Sequence, residues 1–166
     1  MRTREELIVD EIKNHPGIRF REVMEKLSIT NGVLSYYIRK LECTGIIKTE
    51  RTPRVSRFYL HDMSEEESSI VKRLRQTTPK SILITLIEND EMEFQEIVSN
   101  VKKSSSTVSF YLTKLVNDDI VRYNKSNLKK FYFIKEKQRI ANLITEYHPD
   151  VLETASDNLA DIISSL

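Results

Sequence analysis

The sequence predicts a mostly α fold with small β-hairpins (α+β), in which one unit occurs twice and C-terminal helices follow. Helix-forming residues dominate the 166 residues, and glycine and proline are scarce, with 3 and 4 residues. Strand-like alternation is confined to residues 46–60 and 120–134. We expect a first domain at 1–62, a linker helix at 63–76, a second domain at 77–135 and C-terminal helices at 136–166.

An internal repeat is visible when the chain is compared with itself at an offset of 74 residues, without a gap. Apolar residues coincide through both the helical and the strand-like stretches. A chance match would need gaps and would break where helix gives way to strand, so we interpret the chain as two copies of one unit. Identical pairs include Phe20 and Phe94, Ser35 and Ser109, Tyr37 and Tyr111, Lys40 and Lys114, and Ile46 and Ile120.

The first unit is predicted to contain three helices and a hairpin. Apolar residues at helical spacing mark helices at 4–14 and 20–27, and a third that begins after Thr30 as its N-cap. Gly45 is expected to end the third helix. Residues 46–48 and 58–60 then predict two strands joined by a turn around Thr52-Pro53.

Further helices are expected outside the hairpins. Ser64 and Glu67 have the spacing of a capping box for a helix at 65–75, and Thr78-Pro79 should begin a helix that runs to Glu88. Two more helices are predicted at 136–147 and 150–166. The second carries an apolar stripe that could fold back on its own domain or pair with a second copy. We favour a homodimer, because each unit already has a complete core pattern. The stripe consists of Val151, Leu152, Ala155, Leu159, Ile162, Ile163 and Leu166.

Charge is distributed unevenly along a chain whose formal net charge is only +1. Residues 28–60 contain six basic and two acidic residues, and residues 102–134 contain seven and two. The acidic residues collect elsewhere, at 62–67, at 88–96 and near the C-terminal end. Two basic stretches at equivalent places in a repeat favour a polyanionic partner over scattered surface charge.

Several classes of protein are disfavoured by the composition. There is no apolar run of about eighteen residues, and acidic residues interrupt the N-terminus where an export signal would be apolar. We therefore expect a cytoplasmic protein. The single cysteine, Cys43, cannot form an internal disulfide and is expected to be a small core residue, with a redox role left open. The three histidines lie far apart and no phosphate loop or activated nucleophile is found, so we expect no metal, no cofactor and no catalysis.

A third helix with a polar outer face, followed by a basic hairpin, is what a winged helix needs to read a DNA duplex. We expect Arg39 to suit guanine, Asn31 to suit adenine, and the helix start to suit a phosphate. The second unit has no arginine on its helix and is expected to hold phosphates more than to read bases. The expected DNA-binding residues are Thr30, Asn31, Ser35, Tyr36, Arg39, Lys40, Arg51, Arg54 and Arg57 in the first unit, and Ser105, Ser106, Ser109, Thr113, Lys114, Lys125, Lys129 and Lys130 in the second.

The stretch VLSYYIRKLE at 33–42, closed by Thr44-Gly45-Ile46-Ile47, resembles the recognition helix and following strand of ArsR/MarR-like winged-helix transcriptional regulators. The stretch TVSFYLTKL at 107–115 is a looser copy, with Asp119 in place of the glycine. The pair resembles the tandem winged helix-turn-helix regulators that are frequent in archaea, over roughly residues 4–60 and 78–134. ArsR-type metal sensors carry a cysteine pair or His/Asp clusters, which this chain lacks.

Two functions from different classes follow from these patterns. The first is a sequence-specific regulator of transcription that binds double-stranded DNA, as a homodimer. The second is a winged-helix scaffold for protein–protein interactions, since fold does not settle function. In that case the aromatic residues Tyr36, Tyr37, Phe110 and Tyr111 would be interface anchors. Basic wings favour DNA, whereas outward-facing aromatic residues favour protein.

Overall fold

The computed structural model describes residues 1–151 together with 161 and 164. The chain divides into two compact units, Met1–Lys72 and Arg73–Leu166. The helix expected at 150–166, with its apolar stripe, lies outside the described residues except for positions 150, 151, 161 and 164. None of the helices in the described part is long and apolar enough to cross a bilayer.

The first unit packs three helices on one side of a small antiparallel sheet. Its elements are α1 (Arg4–Asn14), β1 (Ile18–Arg19), α2 (Phe20–Leu27), α3 (Asn31–Cys43), β2 (Ile47–Arg51) and β3 (Ser56–Leu60). The strand order is β1-β3-β2, with Ile18 opposite Phe58 and Ile47 opposite Leu60. The core forms because one apolar face of each helix meets the inner face of the sheet. It contains Ile8, Ile12, Ile18, Val23, Leu34, Ile38, Leu41, Ile47 and Phe58.

The second unit repeats this arrangement. A connecting helix, α4 (Glu65–Leu74), contains the boundary between the units. Then follow α5 (Thr77–Glu88), β4 (Met92–Glu93), α6 (Phe94–Val101), α7 (Ser105–Asn117), β5 (Val121–Ser126), β6 (Lys129–Ile134) and α8 (Lys137–Tyr147). The sheet order is β4-β6-β5, with Met92 opposite Tyr132, the same register as in the first unit after the 74-residue offset.

The repeat extends to single backbone angles. Ser28 ends α2 with φ 51°, and Lys102 ends α6 with φ 55°. Gly45 follows α3 with φ 69°, and Asp119 follows α7 with φ 56°. Both members of each pair lie in the left-handed region, where most residues other than glycine are strained. The expectation of two copies of one unit is therefore confirmed.

Two expectations from the sequence need correction, one about where a helix begins and one about the burial of Cys43. The helix expected to begin with Thr78 as its cap begins at Thr77, with Gln76 as N-cap. Pro79 is then the third residue of α5, where its missing N–H is harmless because the first-turn N–H groups have no partner within the helix. Cys43 is exposed rather than part of the core. It follows the buried Leu41 by two residues, which turns it to the opposite side of the helix.

The short strands β1 and β4 were not expected from the sequence. Each contains two residues and exists through its pairing with the central strand of its sheet. The hairpin strands are also longer than expected, since β2 extends to Arg51 and β3 begins at Ser56. The wings are consequently extended hairpins that project the turn residues away from the core.

Candidate nucleic-acid interface

The outer face of α3 carries the polar residues that the sequence assigned to it. Asn31 and Arg39 are exposed, and the Ser35 hydroxyl donates to the side-chain oxygen of Asn31 at 3.1 Å. Tyr36 is 64% exposed, and its ring meets Tyr37 edge-on at a centroid distance of 5.3 Å. Thr30 occupies the N-cap position as expected, but its side chain makes no capping hydrogen bond. The face thus combines hydrogen-bonding groups, an aromatic ring and a cation.

Lys40, at the edge of this face, is tied to α1. Its ammonium group forms a hydrogen-bonded ion pair with the Glu5 carboxylate. The hydrogen bond that Lys40 donates to Glu5, together with the negative charge of Glu5, raises the pKa of Lys40 above its ordinary value. Lys40 remains positively charged at neutral pH, but its charge is partly offset by Glu5.

The first wing contains arginines in three different environments. Arg51 donates to both carboxylate oxygens of Glu42, at 2.8 and 2.9 Å. Burial raises the pKa of Glu42, but hydrogen bonds, chiefly from Arg51, outweigh that effect and hold it below its ordinary value. Arg54 lies in the turn, is exposed, and has no acidic partner among the described residues.

Arg57 does not belong to the exposed wing, and its expected DNA contact is corrected here. It lies in β3, is only 8% exposed, and donates to the backbone carbonyl of Gly17 at 2.9 Å. That carbonyl belongs to the loop that leads into β1. A buried polar group requires a hydrogen-bond partner, and Arg57 supplies one for the loop. Its role is structural.

A cleft of about 170 Å³ lies between α3 and the first wing. Ser35, Arg39, Arg51 and Ser56 provide its polar lining, and apolar side chains provide its floor. Two guanidinium groups and two hydroxyls around one cleft suit a phosphate oxygen, because these donors match its acceptors. Sequence reasoning missed Ser56. The repeat offered a signal for it, since the equivalent position is Lys130, which the sequence had singled out.

The equivalent helix of the second unit, α7, presents hydroxyls rather than arginines. Ser105, Ser106, Ser109 and Thr113 are all exposed, and Ser104 caps the helix by accepting from the Thr107 N–H at 3.3 Å. Phe110 lies on the outer face as the sequence indicated, and it is 55% exposed. The Lys114 ammonium group lies 4.4 Å from the centroid of the Phe110 ring.

The second wing is a tight hairpin with three lysines near its tip. Lys125 is exposed and has no acidic partner among the described residues. Lys129 pairs with Glu93 at 2.9 Å, and the Lys130 ammonium group lies 4.4 Å from the Tyr123 ring centroid. A cleft of about 230 Å³ lies between α7 and this wing, lined by residues that include Ser109, Thr113 and Lys130. It is the counterpart of the cleft in the first unit.

The expected basic surface is therefore present, but it has fewer unpaired cations than the number of basic residues that the sequence assigned to it. Within the described part of the chain, the expected cations without an acidic partner are Arg39, Arg54, Lys114, Lys125 and Lys130. Lys40, Arg51 and Lys129 each pair with a carboxylate of their own unit. These pairs are exposed and individually weak, so a phosphate can compete for the same cation.

In each unit, a helix-turn-helix is followed by a hairpin wing, and the outward surface of the third helix and wing is polar and basic. This combination defines two winged helix-turn-helix units in tandem, a fold whose third helix and wing suit a nucleic-acid duplex.

Family comparisons identify both halves. Residues 1–71 match the model of an N-terminal HTH domain family, and residues 75–122 match the family described as winged helix-turn-helix DNA-binding. Residues 1–71 and 75–122 are thus each similar to a helix-turn-helix family, and the second family is described as DNA-binding.

Among individual proteins, the chain is similar to an uncharacterized HTH-type transcriptional regulator of Methanocaldococcus jannaschii. The two are 28% identical over 129 residues, which cover 78% of this chain and 32% of that protein. The chain thus spans about a third of the length of this relative.

Two solved structures are also similar. HlyU from Vibrio cholerae has a TM-score of 0.44 and 26% identity, covering 51% of this chain and 98% of its own. The transcriptional repressor BigR from Xylella fastidiosa has a TM-score of 0.42 and 24% identity, covering 48% and 84%.

Proposed function

We propose that this chain is a sequence-specific regulator of transcription that inserts α3, and in the second unit α7, into the major groove of DNA. The two wings then contact the phosphate backbone or the minor groove. Arg39 and Asn31 are the proposed base-reading residues, and Arg54 and Lys125 are the proposed wing contacts. We further propose that the protein acts in the cytoplasm.

One observation carries this proposal, namely that the same arrangement occurs twice. In each unit an exposed third helix and a basic wing enclose a polar cleft. Packing of the core explains the apolar side chains that line each cleft. It does not explain the exposed cations and hydroxyls around it. A surface that is repeated without a structural need favours a shared ligand, and the positive charge favours a polyanion.

The domain limits are part of the proposal. We propose 1–62 and 77–135 as the two winged helix domains and 63–76 as the linker helix. The support is that β3 ends at Leu60, β6 ends at Ile134, and α4 occupies residues 65–74.

The experiment compares the wild-type chain with the double variant Arg39→Ala, Arg54→Ala. Binding to a random-sequence duplex is measured by fluorescence anisotropy at about 50 and 200 mM salt. We expect weaker binding at both salt concentrations. The slope of log affinity against log salt should fall by about one for each lost phosphate contact.

The matched control is Lys13→Ala, Lys80→Ala, which removes the same charge from α1 and α5, at positions that do not belong to the proposed interface. It should bind nearly as wild type does. Selection of fragments from a genomic library then tests sequence specificity. If the wild-type chain binds no duplex at low salt, the proposal fails and the protein-scaffold function becomes the better explanation.

A further inference from the structure

The tip of the second wing has an unusual residue in a strained position. Ser126 and Lys129 pair at the end of the hairpin, so Asn127 and Leu128 alone form its two-residue turn. Both have positive φ angles, 49° for Asn127 and 66° for Leu128. This is the pattern of a type I′ turn, in which Asn followed by Gly is the favoured sequence. A leucine stands where glycine would be free of strain.

No packing contact explains the choice of leucine. Leu128 is fully exposed, the most exposed large apolar side chain of the described residues apart from Met1. An L-residue in the left-handed region is disfavoured because its Cβ crowds the following carbonyl, and a bulky one is a genuine outlier. Strain that the fold does not require is a reason to look for a function.

The surroundings of Leu128 indicate the chemistry of its partner. Lys125, Lys129 and Lys130 lie within three positions of it along the hairpin, and all are exposed. A protein-docking surface would have a contiguous apolar patch around the leucine. A single apolar side chain among cations instead suits a narrow groove of a polyanion, in which the cations meet the charged walls and the apolar side chain meets apolar atoms at the floor.

The first wing has no exposed leucine in a left-handed turn. Its turn spans residues 52–55 between β2 and β3 and is closed by the Thr52 N–H, which donates to the Val55 carbonyl at 2.9 Å. Arg54 is exposed there, and Val55 is partly buried. The two wings therefore end in different chemistry, a cation in one and an apolar side chain in the other.

We propose that Leu128 is a wedge that enters the minor groove of DNA and inserts between adjacent base pairs, which bends the duplex at the second wing. Apolar side chains are used in this way by minor-groove binders, where partial unstacking is offset by a larger contact surface. The proposal rests on the proposed DNA-binding function and adds DNA bending to it. Flexible pyrimidine–purine steps are the expected insertion sites, because they are the easiest to unstack.

The test uses the full chain and a duplex selected by the wild-type chain from a random-sequence library. Leu128→Gly should change stability and binding in opposite directions. Relief of the left-handed strain should raise the thermal unfolding temperature by roughly 4–8 °C. Loss of the apolar side chain that the proposed complex buries should weaken binding by about tenfold. Energy transfer between dyes at the two duplex ends should show a bend with wild type and a straighter duplex with the variant.

Two further variants separate the wedge from other roles. Leu128→Met keeps an apolar side chain of similar size and should retain both affinity and bending. Lys125→Ala should reduce the salt dependence of binding, whereas Leu128→Gly should leave it unchanged because no charge is lost. If Leu128→Gly binds and bends the duplex as wild type does, the proposal that Leu128 is a wedge is wrong, while the proposed DNA-binding function stands. If wild type binds no duplex, both proposals fail together.

Discussion

At the residue scale, Arg54 and Arg57 show how the same side chain takes two roles within one hairpin. The sequence assigned both to DNA. In the structure Arg54 is exposed in the turn, whereas Arg57 is buried in β3 and bound to the Gly17 carbonyl. The difference follows from the position of β3, which begins at Ser56 and is the central strand of the sheet, so that its three middle residues, Arg57 included, are all buried.

These two positions give opposite predictions for stability and binding. Arg57→Ala leaves the Gly17 carbonyl without its donor and should lower the free energy of unfolding by about 1–3 kcal/mol. Arg54→Ala should leave it unchanged to within about 0.5 kcal/mol, since exposed surface positions tolerate substitution. Urea unfolding measures both. A stable Arg57→Ala protein with weakened DNA binding would contradict the structural role of Arg57.

At the element scale, the third helix of each unit ends in the same hydrogen-bonded turn. The Gly45 N–H donates to the Glu42 carbonyl and the Ile46 N–H to the Leu41 carbonyl. Asp119 and Ile120 repeat both bonds in the second unit. This is a Schellman motif, which needs a left-handed residue after the helix and sets the direction in which the wing departs.

Asp119 shows what replaces glycine in the second unit. Its carboxylate accepts from the Arg122 Nε at 2.9 Å and from the Lys135 ammonium group at 2.5 Å. These hydrogen bonds, first that from Arg122, hold the pKa of Asp119 far below its ordinary value. Aspartate tolerates the left-handed region better than most residues, and its two cationic partners lie at the base of the wing.

The two glycines of the α3 region form a matched pair for testing this turn. Apart from neighbouring residues along the chain, nothing lies within 4 Å of a Cβ added at Gly45 or at Gly32, so neither substitution creates a clash. Gly45 has φ 69°, and Gly45→Ala should therefore destabilise the protein by roughly 1–2 kcal/mol through backbone strain alone. Gly32→Ala lies within α3 and should be neutral or stabilise by up to about 1 kcal/mol.

Thermal and urea unfolding of the two alanine variants measure this difference in stability. Equal stability of Gly45→Ala and Gly32→Ala would show that the left-handed turn does not constrain the end of α3. Gly45→Asn provides a further comparison, because asparagine enters the left-handed region more readily than alanine. Its stability should lie between those of wild type and Gly45→Ala.

At the scale of the whole molecule, a net charge near zero is compatible with a basic binding surface. Acidic side chains outside the two interfaces balance the sum, and several of them also pair with interface cations inside a unit. Affinity for DNA should therefore be modest at physiological salt for one copy of the chain. A second copy would double the number of phosphate contacts, which is the physical benefit of the homodimer that the sequence predicts.

The apolar stripe at 150–166 provides a test of the homodimer. Leu159→Glu with Ile163→Glu should convert a dimer of the 19.5 kDa chain into a monomer, as measured by light scattering after gel filtration. Ser156→Glu with Ser164→Glu adds the same charge at positions outside the stripe and should remain dimeric. A wild-type chain that is monomeric at micromolar concentration contradicts the proposal, and retained helical circular dichroism shows that the variants are folded.

The sequence by itself determined the order of the described helices and hairpins, the repeat and the polar outer face of α3. These depend on local periodicity and on turn residues such as Gly45, which act over a few positions in the chain. Periodicity also placed Phe110 on the outer face of α7, where the structure has it.

Only the tertiary structure decided which cations remain available. Lys129 meets Glu93, Lys40 meets Glu5, and Arg57 meets Gly17, in each case across more than thirty positions of sequence. The strands β1 and β4 likewise exist only through pairing with a distant strand. Such partners are set by the packing of helices against a sheet, and no local pattern encodes them.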